Sequence, residues 1–318
     1  MGHFLHAVGV FFHHLAAVRW EFIAFALLCN FARLFVRAVA WRAILVAAYP
    51  DERPRLRSVF GAYMAGVGVN AVVPARGGDL IKLYLVRHRV AGSTYTTLAP
   101  TLVVETLFDA VVGAGLLAWA LAIGVLPTRE IYARLPTVDW GFFIRHQQAS
   151  LIALIVLVFV ALIGVVYARH TWGEFRARVG RGFAILADRP RFARQVIAPQ
   201  AVSWVLRIAT VYFFLLAFNV PASIHNALLV QVVDSLSTLF PATPGGAGTK
   251  QGLTEYLFRG RAVSSTLLLA FSVGMNIALV IANVLAGLAA IGLMAKTLSF
   301  KRLRQASRAE REQAARQP

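Results

Sequence analysis

Two breaks interrupt the long apolar runs of this chain and constrain what it can fold into. One is Val73-Pro74-Ala75-Arg76-Gly77-Gly78-Asp79; the other is Phe240-Pro241-Ala242-Thr243-Pro244-Gly245-Gly246-Ala247-Gly248. Proline and clustered glycine do not continue a helix. The segments around them, 20–48, 97–126, 149–168, 197–218 and 264–295, are each long and apolar enough to cross hydrocarbon, which takes about 20 residues. A break at membrane depth leaves backbone groups unpaired, and this is tolerated only where protein or a water-filled cavity satisfies them. The breaks are therefore where polar chemistry is expected.

Composition supports lipid as the solvent. Of 318 residues, 58% are hydrophobic and 14% charged, against about 45–50% and about 25% in soluble domains. Most of the basic residues behind the net charge of +18 sit at the ends of apolar runs. That is the positive-inside pattern of a membrane protein, and nucleic acid is excluded as a partner. The single cysteine, Cys29, permits no internal disulfide. Residues 1–19 lack a basic n-region and a small-residue cleavage site, so no signal peptide is expected. They are too short to span and read as an interfacial segment. Their histidines, His3, His6, His13 and His14, have no accompanying carboxylate or cysteine, so no metal is expected.

Charge also orients the chain. The connector with Arg53, Arg55 and Arg57, the Arg87-His88-Arg89 cluster, the basic segment 169–194 and the tail 296–318 are assigned to the cytoplasm, and loop 127–148 to the exterior. Segment 169–194 is expected to lie as a helix on the anionic leaflet, and the tail to be disordered. Segment 58–90 is basic at both ends, so it is expected to enter from the cytoplasm and return as a hairpin. Its first arm, 58–73, covers only about 24 Å at 1.5 Å per residue; its second is 80–90. By the same parity 222–260 is a hairpin entering from outside. The fold class is thus an all-α, polytopic transmembrane helical bundle with two oppositely oriented re-entrant hairpins. It is an inverted-repeat architecture: first repeat 20–126, linking span 149–168, second repeat 197–295, all one domain over 20–295. In such folds interrupted helices at matching positions mark the binding site.

Ionisable residues within the membrane cost about 2.5–3.5 kcal/mol each and are functional candidates by default. Arg76, Asp79 and Lys82 flank the first break, and Lys250 follows the glycines of the second. Glu105 and Asp109 share a helix face, four residues apart, placed to balance Arg76, Lys82, Arg33 or Arg37. Asp234 lies just before the second break. Structural ion pairing is the competing account for each of these; for Arg33, Arg37 and Arg207 a structural or snorkelling role is expected. The Gly245–Lys250 run lacks the spacing of a phosphate loop, so no nucleotide or other cofactor is expected.

The motif Asn70-x-x-x-Pro74-x-Arg76-x-Gly78-Asp79-x-x-Lys82, then Glu105-x-x-x-Asp109, then Pro241-x-Thr243-Pro244-Gly245-Gly246-x-Gly248-x-Lys250, resembles the lysylphosphatidylglycerol synthase transmembrane region. This is a flippase-like family of bacterial and archaeal membrane proteins. The resemblance extends over most of 20–295. Asp79 and Lys82 stand where the family usually has Glu and Arg; Thr106 and Gln251 stand where it often has charged residues. An additional N-terminal span common in the family is not expected here. In relatives the region is joined to a soluble domain that transfers an amino acid from aminoacyl-tRNA to phosphatidylglycerol. The tail after Ala295 is too short for such a domain, so the resemblance implies lipid handling without aminoacyl transfer.

The leading expectation is a lipid translocase, not an enzyme, in the bacterial inner membrane with its C-terminus cytoplasmic. It would handle an anionic phospholipid or polyprenyl-linked lipid, alone or beside a second copy of the chain or a lipid-modifying enzyme. Arg76, Lys82 and Lys250 would hold phosphate, with Glu105, Asp109 and Asp234 orienting them or binding a cationic headgroup. The alternatives are a membrane enzyme or accessory subunit acting on polyprenyl-phosphate sugars, and a small-solute or ion transporter.

Overall fold

The computed structural model describes residues 18–73, 76–124, 177–239, 250, 252–254, 258 and 263–314. Its regular elements there are all helical. They are α1 (Trp20–Ala48), α2 (Leu56–Asn70), α3 (Gly77–Arg87), α4 (Tyr95–Ala122), α5 (Arg189–Ala217), α6 (Ile224–Leu239) and α7 (Ser265–Ala314). Among the described residues four helices are long and apolar enough to cross a membrane: α1, α4, α5 and the Ser265–Ala295 part of α7. The chain is an integral membrane protein. Most of segment 1–19, loop 127–148 and the linking span 149–168 lie outside the described residues.

Two sequence expectations need correction. The basic segment 169–194 is not separate from the span that follows it, which starts at Arg189. Proline at position 190 suits a first helical turn, and Asp188 caps it by accepting from the Arg191 N–H at 3.0 Å. Helix therefore begins at Arg189, and Arg191 and Arg194 become the first turns of α5. Within α5 a π-turn spans Ala193–Ile197. Pro199 cannot donate to the Gln195 carbonyl four residues back, and the ladder shifts, with Ala198 N–H reaching Ala193 O. The second correction concerns the tail. The backbone of α7 stays helical from Ser265 to Ala314, because 296–314 contains no glycine or proline to stop it.

Helix ends fall into two groups. At the basic end Tyr49, just after α1, accepts through its hydroxyl from the Thr94 N–H that precedes α4 (3.3 Å). Arg89, just after α3, donates to the Met294 carbonyl of α7 (3.0 Å). Arg42 and Arg53 face Arg191 and Arg194 across a shared cavity. At the other end Arg19 N–H donates to Ala217 O (3.0 Å), and the Trp119 and His225 rings stack edge-on at 5.5 Å. There, Phe214, Phe218, Phe258 and Phe271 are buried in one apolar cluster with Val18 and Ala120. A second cluster, around Trp41, Ile44, Tyr63 and Leu98, lies toward the basic end.

Between lipid-facing helices there is no hydrophobic gain, so close van der Waals packing and polar contacts must hold the bundle. Helix α1 lies along α5, α2 packs on α3 and α7, and α6 packs on α4 and α5. The α2–α7 crossing uses glycine on both sides: a Cβ on Gly68 or Gly287 would sit 2.7 Å from the other's Cα. Large apolar side chains such as Leu28, Val111, Val205, Leu285 and Leu293 stay exposed, as bilayer-facing residues do.

Candidate functional site

The first break is held by Asn70. Helix α2 ends there, and its side-chain oxygen accepts the Gly78 N–H (2.8 Å) while its amide donates to Asp79 Oδ1 (3.3 Å). This clasp needs glycine at 78, where a Cβ would lie 2.0 Å from the Gly66 carbonyl. Arg76 opens α3 in the left-handed region, with φ 58, an unusual conformation for a residue with a Cβ. Its side chain is exposed.

From the tip inward, the charged residues form a chain. Lys82 is 4% exposed and lies 3.8 Å from Asp79 and 3.3 Å from Glu105. Its ammonium also stands over the rings of Tyr63 (4.2 Å) and Trp41 (5.0 Å), a further stabilisation for a buried cation. Glu105 is 2% exposed and receives three donors: Lys82, the Tyr63 hydroxyl (2.9 Å) and the Arg37 guanidinium. Arg37 forks. One arm meets Glu105, the other reaches Asp109 Oδ2 at 2.6 Å, and its Nε donates to the Tyr63 hydroxyl at 2.6 Å. The four-residue spacing of Glu105 and Asp109 lets one planar guanidinium take both carboxylates.

Asp109 carries the chain onward by accepting from Trp204 Nε1 on α5 (2.8 Å). The Arg207 guanidinium lies 4.8 Å from the Trp204 ring centroid and 4.0 Å from Asp234, and Lys250 meets Asp234 at 3.0 Å. Carboxylates and cations thus alternate from Asp79 beside the first break to Lys250 beside the second. Arg33 flanks the middle, in electrostatic contact with Arg37, Arg207 and Asp109. It donates to Asn30 (2.8 Å), which donates to Asn283 of α7 (3.0 Å), while the buried Nε of Arg33 has no partner. Five cations, Arg33, Arg37, Lys82, Arg207 and Lys250, face four carboxylates, Asp79, Glu105, Asp109 and Asp234. These are the charged members of the seam among the described residues.

Of the sequence candidates, Asn70, Asp79, Lys82, Glu105, Asp109, Asp234 and Lys250 are joined in this arrangement. Arg76 stands apart from it, at the tip. Pro74, Thr243, Gly245, Gly246 and Gly248 lie outside the described residues. Lys82 and Lys250, expected to hold phosphate with carboxylates orienting them, each face a carboxylate: Lys82 faces Glu105 and Lys250 faces Asp234. Arg37, assigned only a structural role from the sequence, is the centre of the seam; its position mid-span, one turn after Arg33, was the available signal. Tyr63, Trp204 and Gln200, which donates to the Glu105 carbonyl (2.9 Å), have no sequence signal that separates them from ordinary core residues.

Comparison with known proteins places this arrangement in context. The model of the lysylphosphatidylglycerol synthase transmembrane region matches residues 5–287. A UPF0104 membrane protein of Methanocaldococcus jannaschii is 25% identical over 202 residues, covering 60% of this chain and 79% of that protein. No solved structure matches.

Proposed function

The chain belongs to the family of the lysylphosphatidylglycerol synthase transmembrane region, and from that footing we propose that it passes a phosphate-bearing lipid headgroup between leaflets along the ionic seam. The observation that carries this reading is the seam itself. Nine charged side chains from five helices and the segment after the second break converge inside a bundle whose surface is apolar. Each costs about 2.5–3.5 kcal/mol to place in a bilayer, which makes such residues functional candidates by default.

The route follows from how the charges are paired. A headgroup phosphate first meets Arg76, the exposed cation at the first tip. Arg33, in electrostatic contact with Arg37 and Arg207, then draws an anion inward. Lys82 and Lys250 sit at the two ends of the seam, each against a carboxylate that an arriving phosphate can replace. Glu105 and Asp109 keep the cations apart from one another while the site is empty. The protein moves lipid rather than transforming it, and it works in the bacterial inner membrane.

The placement of helix ends supports opposed re-entrant hairpins. The outer ends of α2 and α3 both lie at the basic end, where Arg57 and Arg89 line one cavity. The start of α6 and residue 258 both lie at the opposite end. Neither α2, with 15 residues, nor α3, with 11, has the length of a span. The first hairpin packs on the last helix of the second repeat, α7, and α6 packs on the last helix of the first, α4. That exchange is what an inverted repeat produces. With the basic end cytoplasmic, α7 brings its C-terminal end to the cytoplasm.

The test is reconstitution into vesicles with a headgroup-labelled anionic phospholipid and a membrane-impermeant quencher. Wild-type protein is expected to expose inner-leaflet label faster than protein-free vesicles, and Arg76→Ala to slow this. Equal rates for wild type and Arg76→Ala would remove the proposed phosphate role of the tip. Equal rates for wild type and empty vesicles would remove translocation itself.

A further inference from the structure

A second cavity lies outside the ionic seam, on the other side of α2. It measures about 620 Å3, within the usual range for a bound small molecule, and sits between α1, α2 and α7. Its walls are apolar: Phe31, Phe60 and Met64 on one side, Ala286 and Ala290 on the other. Small residues make the room. Gly61 lies where any Cβ would come within 2.9 Å of the Met294 sulfur. Leu293 lines the cavity and is itself 67% exposed, so the mouth faces the bilayer.

The polar part is confined to one end. Arg57 and Arg89 enter the lining there, with Ser58 in the first turn of α2, and these are the polar side chains among the described lining residues. Arg89 is anchored by its bond to the Met294 carbonyl (3.0 Å), so its guanidinium is held at the mouth. A membrane-facing apolar slot with two cations at the headgroup level matches a molecule with an acyl chain and a phosphate. A soluble anion would gain nothing from the slot, and a neutral lipid nothing from the arginines. Anionic lipid is also concentrated in the cytoplasmic leaflet, beside which this basic end is expected to lie.

We infer that one anionic phospholipid of the basic-side leaflet occupies this cavity as a resident lipid, its chain between α2 and α7 and its phosphate on Arg57 and Arg89. The site is separate from the seam. It relies on the membrane assignment and on no step of translocation. A bound chain there fills the gap below the Gly68–Gly287 crossing and steadies the first hairpin against α7.

The experiment is native mass spectrometry of the full chain in detergent, titrated with phosphatidylglycerol, phosphatidylcholine or inorganic phosphate. The expected result is one tightly held phosphatidylglycerol, with weaker phosphatidylcholine and no displacement by inorganic phosphate. Each arginine near an anionic surface contributes about fivefold, so Arg57→Gln should cut the preference for phosphatidylglycerol about fivefold. Arg57→Gln with Arg89→Gln should cut it more than tenfold, and the corresponding lysine substitutions should retain it. Ala290→Trp, which fills the slot, should weaken both lipids. Arg57 is exposed, so its replacement leaves the fold intact and the single variant is decisive by itself. Equal binding of the two lipids by wild type, an unchanged preference in Arg57→Gln, or displacement by inorganic phosphate would each overturn the assignment. Loss of translocation with the preference intact would instead count against the proposed function alone.

Discussion

Replacing Glu105 by glutamine tests whether the seam is the structural keystone that its geometry implies. The substitution keeps shape and removes one charge from a residue 2% exposed. Arg37 retains Asp109 at 2.6 Å, but Lys82 keeps, besides its ring contacts, a single described carboxylate, Asp79 at 3.8 Å. Removing one partner of a buried ion pair costs about 3–5 kcal/mol, because the other charge is stranded. Exposed pairs cost at most about 1 kcal/mol, so the two cases separate cleanly. Unfolding free energy in mixed micelles, titrated with a denaturing detergent, reads the difference. If the stranded ammonium is the cause, Lys82→Met should restore part of the loss in the double variant while being destabilising on its own. A cost for Glu105→Gln below about 1 kcal/mol, or strictly additive single variants, would refute the reasoning.

Other substitutions probe the pieces around it. Asn70→Ala should cost about 1–3 kcal/mol in the same assay, since it leaves the Gly78 N–H unpaired at the tip. Gly287→Leu should lower the yield of folded protein sharply, as its Cβ has only 2.7 Å to the Gly68 Cα; unchanged yield and stability would rule out that crossing. Trp204→Phe should cost about 1.5–3 kcal/mol, the range for a hydrogen bond to a charged group, and should weaken the dependence of stability on Asp109. In a Cys29→Ser background, cysteines at Arg55 and His88 should react with an impermeant maleimide from one side of the membrane and one at Ser223 from the other. Opposite-side labelling of 55 and 88 would eliminate the first hairpin.

How much of this was legible in the sequence depends on the range of the forces involved. The first break was legible because proline and glycine act locally. Helix α2 stops at Asn70 and α3 restarts at Gly77, each within a few residues of the expected bounds. That Arg57 and Arg89 come together at one cavity was accessible through arginine placement, since the bilayer imposes the same rule on every loop. The partners of the charges were not. Arg37 meets Glu105 across 68 residues of sequence, and only the packing of α1 against α4 brings them together. Asp109 was expected to balance an arginine, and it does. Its second partner, the indole of Trp204, comes from α5 and is indistinguishable in sequence from any other apolar anchor. The start of the span after segment 169–194 was set too late because Arg191 and Arg194 suit a leaflet surface and the first turns of a spanning helix equally well; Asp188 and Pro190 place the start at Arg189.

The central claim, that the interior charges serve a lipid headgroup, is tested most directly by a density map of the protein in nanodiscs made with anionic phospholipid. The account predicts headgroup density within ion-pairing distance of Arg76 or of the Arg33–Arg207 region, with its chains leaving sideways into the bilayer. A seam filled only by water, closed to lipid on every side and open only to the aqueous phase, would contradict it and indicate a solute pathway instead.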